Sequence, residues 1–90
     1  MDPGSALLNR SLVEAYVTRN EAVRGEPYAR EALRLEPGNP ANHNLLGIVL
    51  ATKGSTADAI EHFQEALRLG PGDPQVRANL ERTRRAAGVR

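Results

Sequence analysis

An all-α fold of antiparallel helix-turn-helix pairs repeated in tandem, about five helices in an α-solenoid, is what this sequence predicts, and three observations predict it. The segment EALRLEPGNP at residues 31–40 returns as EALRLGPGDP at residues 65–74, a shift of 34 residues with neither insertion nor deletion. The same shift carries Pro37-Gly38-Asn39 back onto Pro3-Gly4-Ser5, so a Pro-Gly pair followed by a capping residue stands three times at one phase of the period. Between these tripeptides the apolar residues recur at helical spacing. Periods of this length belong to stacked supersecondary units whose faces are buried by their neighbours.

Each tripeptide ends one helix and starts the next. Pro cannot continue a helix and Gly permits the reversal. Ser5, Asn39 and Asp73 then act as N-caps, their side-chain oxygens accepting otherwise unpaired backbone N–H groups. Pro40 and Pro74 follow at the first helical position, where a missing N–H costs nothing. The expected helices run over about residues 6–19, 27–35, 40–53, 56–69 and 74–87. In the third, Leu46, Val49 and Leu50 share a face, with Leu45 and Ile48 beside it; in the fourth, Ala59, Ile60, Phe63, Ala66 and Leu67 keep the helical spacing. In the last, Val76, Leu80, Thr83 and Ala87 form a single narrow stripe, as suits a terminal helix with solvent on its outer side. Gly54 is placed to close the third helix in the left-handed conformation, with Asn20 at the equivalent point of the first.

Composition excludes several classes of function. Ninety residues make a single domain, residues 1–90. Without cysteine there are neither disulfides nor thiolate metal sites. Aromatics are 3% of residues, too few for a base-stacking platform, and a net charge of +1 gives the whole chain no bias toward polyanions. The longest apolar stretch, residues 45–51, is far short of the ~20 residues that span a bilayer. No basic segment followed by an apolar one opens the chain, so no membrane association and, by default, a cytoplasmic location are expected.

The residues at 40–73 resemble the tetratricopeptide repeat. Leu46-Gly47, Leu50 in an aromatic slot, Ala59, Phe63, Ala66 and Pro71 match that family's pattern, and His43 takes the first large position. The pattern has a physical basis: a mid-helix Gly costs ~1 kcal/mol against Ala, so Gly47 needs a close packing partner. Residues 6–39 match as a degenerate copy. Leu12, Tyr16, Ala32 and Pro37 are in place, but Val13 replaces the packing Gly and Ala29 the aromatic. Gly25-Glu26-Pro27 falls where the better copy has helix interior, so the second helix is expected to start near Pro27. The alternative extends the first helix to about Arg24 and displaces the reversal, which would favour exchange of helices between chains. The resemblance implies two repeats, about 6–39 and 40–73, and a capping helix at about 74–87.

No residue constellation points to catalysis, a cofactor or a metal. His43 and His62 can meet across a helix pair, but no carboxylate or cysteine pattern joins them. The carboxylates stand beside arginines on helix exteriors, as in Glu26–Arg30. Residues 74–90 hold five arginines against Glu81, a local balance of +4. They read as a solvated capping face with a Glu81–Arg85 pair, or, more weakly, as a phosphate or nucleic-acid contact; the absence of interleaved aromatics argues against nucleic acid.

By resemblance, the first helix of each repeat lines a groove that receives a peptide. The groove residues implied are Arg10, Glu14, Asn44, Leu45, Ile48, Asn79 and Arg82, with Leu7, Ser11, Thr52, Gln75 and Arg85 around them. Asn44 and Asn79 would hold a peptide backbone through their amides. One subclass of the family clamps the C-terminal carboxylate of chaperones; Arg10 would stand in for one clamp lysine, but Glu14 would repel the ligand, so that clamp is not expected. The leading expectation is a protein-interaction scaffold binding a peptide segment. The second is self-assembly into a homodimer or longer array, through an edge at Leu7 and Leu8 that would face a neighbouring repeat.

Overall fold

The computed structural model describes residues 4–88; Pro3 of the first expected turn and Arg90 of the basic segment lie outside the described residues. The five helices are α1 (Ala6–Thr18), α2 (Glu26–Leu35), α3 (Pro40–Lys53), α4 (Thr56–Leu69) and α5 (Pro74–Ala86), packed as an elongated body of 44 × 26 × 18 Å. A 3₁₀ turn over Ala22–Gly25 precedes α2. The all-α tandem architecture expected from the period is the one observed.

Local chemistry accounts for the helix ends. The side chain of Ser5 accepts from the Leu8 N–H, that of Asn39 from Ala41, and that of Asp73 from Gln75 and Val76. Caps of this kind contribute ~1 kcal/mol each. At the other ends, Asn20, Gly54 and Gly88 have φ of 60°, 95° and 74°, the positive-φ positions of the described chain, and they are spaced by the same 34 residues. Left-handed backbone at each point turns the chain out of α1, α3 and α5.

The start of α2 differs from the sequence expectation. The helix begins at Glu26, one residue early, with Pro27 in its first turn. The alternative course, with the first helix extended to about Arg24, is not taken: α1 ends at Thr18, and the reversal at Asn20 is where the period puts it. The reason lies in a volume exchange between the two helix pairs. In α3–α4, Gly47 faces Phe63 so closely that a Cβ on Gly47 would sit 2.6 Å from Phe63 Cε1. Stepping back by 34 residues, the same two positions hold Val13 and Ala29, which are 0% and 1% exposed. The large residue has moved to the first helix and the small one to the second. Gly25, in register with Ala59, completes the exchange, since a Cβ there would lie 3.3 Å from Val13 Cα. The departures at 13, 25 and 29 therefore compensate one another.

One core joins all five helices through Val13, Ala29, Leu45, Leu46, Val49, Leu50, Phe63, Val76 and Leu80. A buried polar tie fixes α2 to α3. Asn42 donates from Nδ2 to the carbonyls of Ala32 (3.0 Å) and Glu36 (2.9 Å), and its Oδ1 accepts from Arg10 Nη1 at 3.2 Å. Both carbonyls also accept a backbone N–H, Ala32 from Glu36 and Glu36 from Asn39, so Asn42 adds a second hydrogen bond to each at the end of α2.

Candidate functional site

The first members of the helix pairs are neighbours: α1 contacts α3, and α3 contacts α5. Because the period is constant, residues 34 apart form rows across these three helices. One row is Arg10–Asn44–Ala78, the next Glu14–Ile48–Arg82, and the next Val17–Ala51–Arg85. Two hollows lie on this face. The first, about 300 Å³, is lined by Glu14, Val17, Thr18, Ala41, Asn44, Leu45, Ile48 and Gln75. The second, about 280 Å³, is lined by Ile48, Ala51, Thr52, Thr56, Phe63, Asn79, Arg82, Thr83 and Ala86. Ile48 is the ridge they share.

The groove residues expected from sequence divide into two groups. Glu14, Asn44, Leu45, Ile48 and Arg82 line these hollows, although Leu45 is largely buried. Arg10 is engaged elsewhere: its guanidinium, only 16% exposed, pairs with Glu36 at 2.6 Å and donates to Asn42. Asn79 lines the second hollow but is consumed internally. Its Nδ2 donates to Asn44 Oδ1 at 3.1 Å, and its Oδ1 accepts from Arg82 Nη2 at 3.1 Å. The expected pair of free amides is thus one amide, Asn44, whose Nδ2 donates to no protein group among the described residues. Val17 and Ala51 line the hollows without having been singled out, and Thr83, expected in the narrow stripe of the last helix, lines the second. The period alone places Val17 and Ala51 in the row beside Glu14 and Ile48, so that signal was available.

The two expected edge residues face different ways. Leu7 is 66% exposed and is in register with Ala41 and Gln75, both members of the first hollow. Leu8 is in register with Asn42 and Val76, which are 1% and 3% exposed beneath the preceding helix pair.

Electrostatics separate α5 from the rest. Among the described residues every cation before α5 is in an ion pair: Arg10, Arg19, Arg24, Arg30, Arg34, Lys53 and Arg68. Glu26 bridges two of them, and its carboxyl is held below the ordinary range by the hydrogen bond from Lys53 and then by that from Arg30. None of Arg77, Arg82, Arg84 and Arg85 is paired, and the Glu81–Arg85 pair expected from sequence does not form. Glu14 is likewise exposed and unpaired.

The histidines do meet. Their rings stack at 5.4 Å, with His43 Nδ1 3.2 Å from His62 Nδ1 and His43 Nε2 3.1 Å from the Pro37 carbonyl. With both rings neutral, the Pro37 carbonyl can only accept, so His43 donates from Nε2–H and accepts at Nδ1 from the Nδ1–H of His62. Burial pushes the His62 imidazole below its ordinary value of 6.5; the His43 ring and Arg30 add to the shift, while Asp58 and Glu61 oppose it. The unfolded chain then takes up this proton at a higher pH than the fold does. Stability is full above about pH 6.5 and declines as pH falls through that value. Thermal melts at about pH 7.5 and 5.5 should show a drop in Tm that His62→Gln removes. An equal drop in the variant would assign the effect to other groups. Among the described residues no group of three or more His, Asp or Glu could hold a metal ion, and no helix is long and apolar enough to cross a membrane.

A family model described as tetratricopeptide repeat matches residues 6–74. None of the curated proteins matches the chain.

Proposed function

The chain belongs to the tetratricopeptide repeat family, whose repeats generally mediate protein–protein interaction and typically serve as non-enzymatic scaffolds, and from that premise we propose that it binds a peptide segment laid across α1, α3 and α5. In this reading residues 6–39 and 40–73 are the two repeats and α5 is the cap. The pair of adjoining hollows sharing Ile48 carries the proposal: they are open, they set the apolar side chains of Val17, Ile48 and Ala51 among polar ones, and the Asn44 Nδ2 is free to meet a peptide carbonyl. A cytoplasmic protein or peptide is the partner envisaged.

The test begins with peptides selected from a random displayed library against the whole chain. They should shift the amide resonances of Leu45, Ile48 and Thr83, and Ile48→Thr should weaken them about tenfold, as loss of a buried apolar anchor does. Peptides that bind Ile48→Thr equally and shift α2 and α4 instead would remove this reading.

A second reading, self-association through α1, is favoured by one further observation. Positions 42, 45, 46 and 49 of α3 and 76, 79, 80 and 83 of α5 are all buried against the helix pair before them. The same register on α1 is Leu8, Ser11, Leu12 and Ala15, of which Leu8 and Leu12 are half-buried and Ser11 and Ala15 exposed. A second copy covering this face would bury two leucines around two small residues. A strictly monomeric mass by light scattering at millimolar concentration would eliminate it.

A further inference from the structure

The row Glu14–Ile48–Arg82 crosses the three neighbouring helices at a single register position, and it reads acid, apolar, base. The flanking row Val17–Ala51–Arg85 repeats the gradient, apolar on α1 and α3 and basic on α5. Glu14 walls the first hollow and Arg82 the second, with Ile48 between them. Neither charge is neutralised: Glu14 has no partner among the described residues, and Arg82 donates only to the neutral amide of Asn79. This is the reverse of the pattern elsewhere, where each described cation before α5 already has its carboxylate.

From this arrangement we infer that the ligand is a bipolar peptide: an extended segment with a cationic side chain over Glu14, an apolar side chain against Ile48, and a carboxylate on Arg82. The inference rests on the groove reading above and specifies its ligand class. Adjacent packed helices stand roughly 10 Å apart, and a chain extended in the polyproline II conformation advances about 3.1 Å per residue and returns every third side chain to the same face. The three ligand side chains are therefore spaced by about three residues each. A purely acidic ligand fits less well, because it would bring a carboxylate onto Glu14. A nucleic acid fits less well again: residues 74–90 carry +4 while the chain as a whole carries +1, which leaves −3 on residues 1–73 to repel a polyanion.

Charge reversal on both sides of the contact tests this. Three peptides are titrated into the isotope-labelled chain at low salt: acetyl-Lys-Gly-Ser-Leu-Gly-Ser-Asp-amide, its form with Lys at both ends, and its form with Asp at both ends. Each is measured against the wild type, Glu14→Lys and Arg82→Glu, whose folds are checked by circular dichroism. The bipolar peptide should bind the wild type about two- to fivefold tighter than either homopolar one, the scale of an exposed ion pair. The doubly acidic peptide should prefer Glu14→Lys, and the doubly basic one Arg82→Glu. An unchanged ranking across the three proteins, with shifts still centred on Ile48, would overturn the inference and leave the groove reading standing. No shift of the Leu45, Ile48 and Thr83 amides with any peptide at millimolar concentration would remove both. A single-stranded oligonucleotide binding more tightly than every peptide would reassign Arg82 to a polyanion contact.

Discussion

Phe63→Ala is expected to lower the stability of the chain by about 3–5 kcal/mol. Phe63 is the only phenylalanine of the chain and is 1% exposed. Its ring lies against the bare backbone of Gly47 and belongs to the core that joins all five helices. No residue is free to collapse into the space, because Gly47 has no side chain and Ala59 and Ala66 are small and already buried. Domains of this size have total stabilities of about 5–15 kcal/mol, so the variant should be partly or wholly unfolded near body temperature. Urea denaturation followed by circular dichroism measures it. A cooperative transition displaced by less than about 1 kcal/mol would mean that the α3–α4 contact is not central to the core.

The second large effect concerns the partner of that ring. Gly47→Val should destabilise by about 3 kcal/mol or more, the upper part of the range for overpacked cores, although valine is the better helix former. Its Cβ alone would meet Phe63 Cε1 at 2.6 Å and Cδ1 at 2.8 Å, too close for both to stay, so the ring or the helices must shift. The two changes should not add. Gly47→Val with Phe63→Ala recreates in α3–α4 the arrangement that Val13 and Ala29 make in α1–α2, where both side chains are fully buried. The double variant should recover at least about 2 kcal/mol of the summed losses, a coupling of the size seen between residues in direct contact. Strictly additive losses would show that the first helix pair owes its packing to something other than this exchange, with Gly25 the first residue to examine.

The chain's own composition and spacing determined its helices, its joints and its family. Caps at Ser5, Asn39 and Asp73, prolines at 40 and 74, and left-handed residues at 20 and 54 act over a few bonds, so they are readable wherever they occur. A constant period lines up residues on successive first helices, and the resemblance to the repeat family implied which rows face a groove, which is why Glu14, Ile48 and Arg82 were expected there before any coordinates. Only the tertiary structure decided what each long side chain finds at its far end. Arg10 meets a glutamate 26 residues away, and Asn79 an asparagine 35 residues away. Val13 and Ala29 looked like two separate departures until packing showed them to be one exchange. Capping energies are local and additive, whereas pairing and packing depend on which surfaces the fold presses together, and a linear pattern carries no distance between residues that are far apart along it.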